Sequence, residues 1–227
     1  VRRARVAHVA AIVALIVSAT GCSDSSPTAT PASSAAQGTV GGTVPDTGAV
    51  AWPAPPAERV AQVTAAARLQ METHETLTFH LHSHLDVFID GEHRTVPAGI
   101  GIVITDPRVH TGNTDGAPSY GGIAAACLQP CISPLHTHDV TGILHTESAS
   151  AEPNTLGQLF TEWDVRLDGQ CVGQYCTPAT TIELYVNGTQ MPLTSATSLA
   201  LTDHKEIAIV IGAKPARIPA EGDFSKA

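Results

Sequence analysis

Residues 80–91 read His-Leu-His-Ser-His-Leu-Asp-Val-Phe-Ile-Asp-Gly. Such alternation predicts a β-strand, because successive side chains of a pleated chain leave opposite faces. Leu81, Leu85, Val87 and Ile89 share one face; His80, His82, His84, Asp86 and Phe88 share the other. Asp90-Gly91 suits a type I′ turn, which needs positive φ at both central positions, so a return strand is expected over 92–97. A strand that is apolar on one face only must cover that face with a second layer. Its histidine face is then left for solvent or for chemistry.

The rest of the chain supplies the layer. Behind Pro55-Pro56, Val60, Val63, Ala67 and Met71 recur at helical spacing, which predicts a helix over 57–72. Ile100, Ile102 and Ile104 continue an alternating pattern, and a loop rich in Gly, Asp, Asn and Pro follows over 106–122. Residues 134–148 read as extended chain. Asn154 or Thr155 can cap a helix through Trp163, with Leu156, Leu159, Phe160 and Trp163 on one side. Ile182 to Val186, the turn Asn187-Gly188 and Ile207 to Ile211 add a second hairpin signal and a buried strand. Aromatic residues make up only 4% of the chain, so the core has to be built mainly from Val, Ile, Leu and Ala. The expected fold is α+β: a small mixed or antiparallel sheet with one or two helices in a single domain over 57–227. A β-grasp-like layout is a fold-level analogy, and other α+β or sandwich layouts stay open.

The N-terminal stretch has a different character. Arg2, Arg3 and Arg5 precede an apolar run over 6–17, too short to span a bilayer, and small residues lead to Cys22. Ala19-Thr20-Gly21-Cys22 resembles the lipobox of bacterial lipoproteins. The resemblance implies a signal peptide over 1–21, a diacylglycerol on Cys22, and an anchor on the extracytoplasmic face of the cell membrane. Residues 22–56, rich in Ser, Thr, Pro, Ala and Gly, read as a flexible tether. The net charge of −9, which becomes more negative once the three arginines are removed, argues against nucleic acid as a partner. Cys127, Cys131, Cys171 and Cys176 remain, an even number that outside the cytoplasm reads as two disulfides. Three connectivities are open, with local pairing the simplest. A four-thiolate zinc site is the competing assignment.

Eight of the eleven histidines fall in two windows, 74–93 and 136–145. His80-x-His82-x-His84, His136-x-His138 and His145-x-Glu147 each place donors on one strand face about 6.5–7 Å apart. If those strands meet, His82, His84, His136, His138, His145 and Glu147 can form a metal site. Imidazole-rich sites suit zinc(II) or copper(II). Asp86 and Asp139 are candidates for acceptors that fix a ring tautomer. His8, His74, His93, His110 and His204 are read as ordinary histidines.

The segments Leu135-His136-Thr137-His138-Asp139, Gly142-Ile143-Leu144-His145-Thr146-Glu147-Ser148 and Thr155-Leu156-Gly157-Gln158-Leu159-Phe160 resemble a family of prokaryotic exported proteins with no established activity. The likeness extends to residues 82–91 and 96–102, and so covers most of the chain after about residue 80. It implies that the histidine segments belong to one module and adds no reaction. Three function classes follow: a metal-binding module, a metalloenzyme with Glu147 or Asp139 as proton acceptor, and a partner-binding lipoprotein without metal. Neither an HExxH motif nor a serine-hydrolase elbow is present.

Overall fold

The computed structural model describes residues 51–123 and 125–225; the leader, Cys22 and most of the tether lie outside the described residues. A 3₁₀ turn, Ala57–Arg59, leads into α1 (Val60–Ala66). There follow β1 (Phe79–Ile89), β2 (Glu92–Arg94), β3 (His110–Thr114), β4 (Ala117–Gly121), β5 (Leu135–His136) and β6 (Ile143–Ser148). Next come α2 (Leu156–Glu162), β7 (Cys171–Val172), β8 (Tyr175–Cys176), β9 (Ile182–Val186), β10 (Thr189–Met191) and, after a 3₁₀ turn, β11 (Lys205–Ile211). The fold is α+β with a mixed sheet, as the patterning predicts.

The principal sheet has the order β10-β9-β11-β1-β6-β5, and β2 pairs with the far end of β1. The long strand β1 sits in the middle. It runs parallel to β11, from Ser83 opposite Lys205 to Ile89 opposite Ile211, and antiparallel to β6, from Phe79 opposite Ser148 to His84 opposite Ile143. Leu85 and Val87 of β1, Leu144 of β6, Leu184 of β9 and Ile207, Ile209 and Ile211 of β11 pack against Leu156, Leu159, Phe160 and Trp163. The apolar face of β1 is thus covered by α2, and the histidine face stays on the other side of the sheet. Thr155 starts α2 with a capping box, accepting from Gln158 N–H while Gln158 accepts from Thr155 N–H. Satisfying two otherwise orphaned donors in this way is worth about 1 kcal/mol and fixes where α2 begins. The Trp163 indole N–H donates to the Trp52 carbonyl at 3.1 Å, and the two rings meet edge to face at 5.6 Å.

One carboxylate lies inside this core. Glu162 is fully buried and accepts a 2.7 Å hydrogen bond from the Thr64 hydroxyl of α1, while its Oε2 has no hydrogen-bond partner. Burial pushes its pKa up to about 8, against the opposing effect of the Ser133 and Thr64 hydroxyls.

Several segments differ from the sequence expectation. The first helix stops at Ala66, short of Met71, because Arg68 turns left-handed (φ 61°) and Leu69 N–H closes back on Thr64 O in a Schellman arrangement. Ile100, Ile102 and Ile104 do not form a strand. Gly99 and Gly101 have positive φ, and only the bridge Ile102–Ile132 survives of the alternation. Gly101 is needed there, since a Cβ would stand 2.4 Å from the Leu135 carbonyl oxygen. The 106–122 stretch carries the hairpin β3–β4 on the turn Asp115-Gly116. That hairpin pairs only with itself. The cysteines form the two local disulfides, Cys127–Cys131 and Cys171–Cys176, which removes the four-thiolate zinc site. No helix among the described residues is long and apolar enough to cross a membrane.

Candidate metal centre

Strand register decides which histidines meet. Residues directly opposite in an antiparallel pair point to the same face. His145 of β6 lies opposite His82 of β1 on one side and His136 of β5 on the other. Glu147 lies opposite His80, and His138 follows two residues after His136. The result is an array on the polar face of the sheet, with His145 and Glu147 of β6 along its middle.

On the β5 side the donor atoms converge. His136 Nε2 and His138 Nε2 are 3.2 Å apart, and His145 Nδ1 is 3.5 Å from Glu147 Oε1. His136 Nε2 and His138 Nε2 stand 3.8 and 4.0 Å from the same oxygen. One donor atom from each of His136, His138, His145 and Glu147 lies within 4.8 Å of all the others. Four donors at zinc bond lengths of 2.0–2.1 Å span tetrahedral edges of about 3.3 Å, so the 3.2 and 3.5 Å pairs already match such an edge and the 3.8 and 4.0 Å pairs would have to close by roughly half an ångström or a little more.

The far nitrogens fix the tautomers. His136 Nδ1 donates to the Ser133 carbonyl at 2.8 Å, and His138 Nδ1 donates to the Tyr120 carbonyl at 2.6 Å. A carbonyl can only accept, so both protons sit on Nδ1 and each neutral ring turns a lone pair toward the other across 3.2 Å. Lone pairs facing at that distance repel unless a proton or a cation lies between them. Gly121 permits the second contact: at φ 136° it passes so close to His138 that a Cβ would lie 2.1 Å from Nδ1. These carbonyls, and not Asp86 or Asp139, orient the rings. Asp139 instead accepts from the Thr141 N–H and hydroxyl, and Asp86 pairs with His93.

Charge is distributed in the same sense. Burial, added to by the neighbouring His138, holds His136 well below the usual histidine pKa, and burial lowers His145 to about 4. Burial also opposes charge on His138, but the Glu147 carboxylate and Tyr120 carbonyl outweigh it and raise the pKa. Glu147, although buried, is kept well below the carboxylate range by the imidazoles around it. Near neutral pH Glu147 is an anion and His136 and His145 are bare imidazoles, while His138 is the ring of the three that takes a second proton most readily. His145 Nδ1 and Glu147 Oε2 are buried with no hydrogen bond, a cost of about 1–3 kcal/mol each that a cation would remove.

Three residues were placed differently by sequence reasoning. His84 does not join the cluster. Its Nε2 donates to the Thr141 carbonyl and its Nδ1 meets Glu206 Oε2, both at 2.8 Å, in a buried group with Asp86. Burial pushes Glu206 up to about 7. His80, which belongs to the same alternating run, does join: its Nε2 is 3.2 Å from Glu147 Oε1. His93, read as ordinary, pairs with Asp86 at 2.8 Å. The array forms the wall of an open cleft of about 420 Å³, to which Glu75, His110 and Tyr120 also contribute. Neither Lys nor Arg lines it among the described residues, so nothing cationic competes with a metal there. Comparison with protein-family models, curated proteins and solved structures finds no match to this chain.

Proposed function

We propose that this protein binds a late first-row divalent ion, zinc(II) or copper(II), through His136, His138, His145 and Glu147. The supporting observation is the 3.2 Å approach of two Nε2 atoms whose rings are both locked as acceptors by carbonyls. Nitrogen-rich donor sets select zinc and copper over magnesium and calcium, which prefer oxygen. Four protein donors fill a tetrahedral shell, which favours holding or passing on an ion over turning over a substrate at that ion. Protein purified without a polyhistidine tag should contain metal or take it up. At free zinc 100 times the dissociation constant, binding adds about 2.7 kcal/mol, and the melting temperature should rise by roughly 5–10 °C. No bound metal and no thermal shift with either zinc(II) or copper(II) would sink this reading.

We further propose that the domain works outside the cytoplasm, anchored by lipid on Cys22. The basic, apolar and small-residue segments before Cys22 support this, and the two disulfides fit an oxidising compartment. Cys22→Ser should move the protein from the membrane fraction to the soluble exported fraction. If the variant stays in the membrane fraction, the anchor is elsewhere.

A further inference from the structure

A single tetrahedral ion leaves two imidazoles of the array unused. Five imidazoles, those of His80, His82, His136, His138 and His145, surround one carboxylate, and zinc takes only four ligands in such sites. The halves match in construction. On the β5 side, His136 and His138 are two residues apart; on the β1 side, His80 and His82 are two residues apart on the same face. The β6 residues His145 and Glu147 lie between them, each directly opposite a β1 histidine.

We infer that the cleft holds a second divalent ion on His80 and His82, bridged to the first by the Glu147 carboxylate. This rests on the four-ligand reading above. Donor atoms of His80 and His82 lie within 4.8 Å of each other, in one group with His145, and His80 Nε2 is 3.2 Å from Glu147 Oε1, so the bridge stands beside the second pair of imidazoles. His82 Nε2 is buried with no hydrogen-bond partner, an orphan lone pair or N–H beside that position. Glu147 offers both ends of a bridge. Its Oε1 has four imidazoles within 3.2 to 4.0 Å, while its Oε2 is buried and has no hydrogen bond. A carboxylate that gives one oxygen to each ion sets two metals about 3.5–4 Å apart, the spacing of known two-metal centres.

The two positions differ in character. The first has four protein ligands, one of them the fully buried His136. The second has His80, His82 and the shared carboxylate, and His80 is exposed to the cleft, so water completes its shell. Like charges at that separation also repel. The second ion therefore binds more weakly and exchanges faster. Glu75 and Asp139, which line the same cleft, offset part of the added charge.

Copper(II) titration of the metal-free, detergent-solubilised full chain separates the possibilities. Bound copper is measured by equilibrium dialysis and unpaired spins by electron paramagnetic resonance. Wild type should bind two equivalents, and the spin signal should grow with the first equivalent but fail to double with the second, because bridged copper ions couple. The variant carrying His80→Asn and His82→Asn should bind one equivalent, uncoupled, with first-site affinity within about threefold of wild type. His80→Asn alone, at an exposed position, should weaken the second equivalent about tenfold or more and serves should the double variant not fold. One equivalent in wild type, or two in the double variant, overturns the second site and leaves the first standing. No copper bound by wild type defeats the first site itself.

Discussion

His136→Asn is expected to weaken zinc binding on the order of 10³-fold, beyond the 10–100-fold usual when a residue that merely orients a ligand is lost. His136 is fully buried, and its Nε2 faces His138 across 3.2 Å. Asparagine is too short to put a donor atom in that place. The metal-free variant will also lose about 1–3 kcal/mol of stability, because the Ser133 carbonyl loses its ring N–H. The affinity must therefore be measured directly, by competition with a chromophoric chelator, and not inferred from melting temperature. His84→Asn provides the contrast. Both nitrogens of His84 are engaged, by Glu206 and Thr141, so its zinc affinity should stay within about threefold of wild type. Equal losses in the two variants would mean that the centre lies elsewhere on the histidine face.

Glu162→Gln should stabilise the metal-free protein, and by more as pH rises. The carboxyl of Glu162 titrates near 8 in the fold against 4.5 as a model group, because burial penalises its anion. A folded pKa raised in this way gives stability that is complete below about 4.5. It is lost as pH climbs toward 8, because over that window the unfolded chain releases the proton and the folded chain keeps it. The loss is on the order of several kcal/mol at pH 8. Glutamine keeps the volume and the acceptor for the Thr64 hydroxyl and carries no charge. The two proteins should melt within a degree or two of each other at pH 4.5 and differ on the order of 10 °C at pH 8. The difference between them is the quantity to read, since His136 and His145, whose pKa values are lowered, take stability away in the opposite direction as pH falls below about 6.5. A gap that does not change with pH would show that Glu162 is not the buried acid described.

What could be read from sequence follows the range of the interaction. The strands β1, β9 and β11 alternate or run apolar, and Thr155 to Trp163 carries a cap and an apolar side, so local pattern suffices for them. The β3–β4 hairpin reads as loop, because its strands carry no apolar alternation to mark them. The end of α1 and the failure of the isoleucine run 100–104 depend on Arg68, Gly99 and Gly101 taking positive φ, which packing imposes. The site shows the same division. Spacing was enough to nominate His136, His138, His145 and Glu147. It could not choose between His80 and His84, which are equivalent on an isolated strand. That choice is made by register with two different neighbours: His80 faces Glu147 of β6, and His84 faces Glu206 of β11.

The parallel neighbour of β1 is the last strand among the described residues, more than a hundred residues downstream. A polypeptide released anywhere short of residue 205 has no middle to its sheet, and β1 is left with an open edge. Long-range parallel pairing is also slow, because loop-closure entropy must be met before the contacts form. Loss of β11 thus bares one edge of β1, although every histidine of the array lies upstream, on or beside strands that pair with one another.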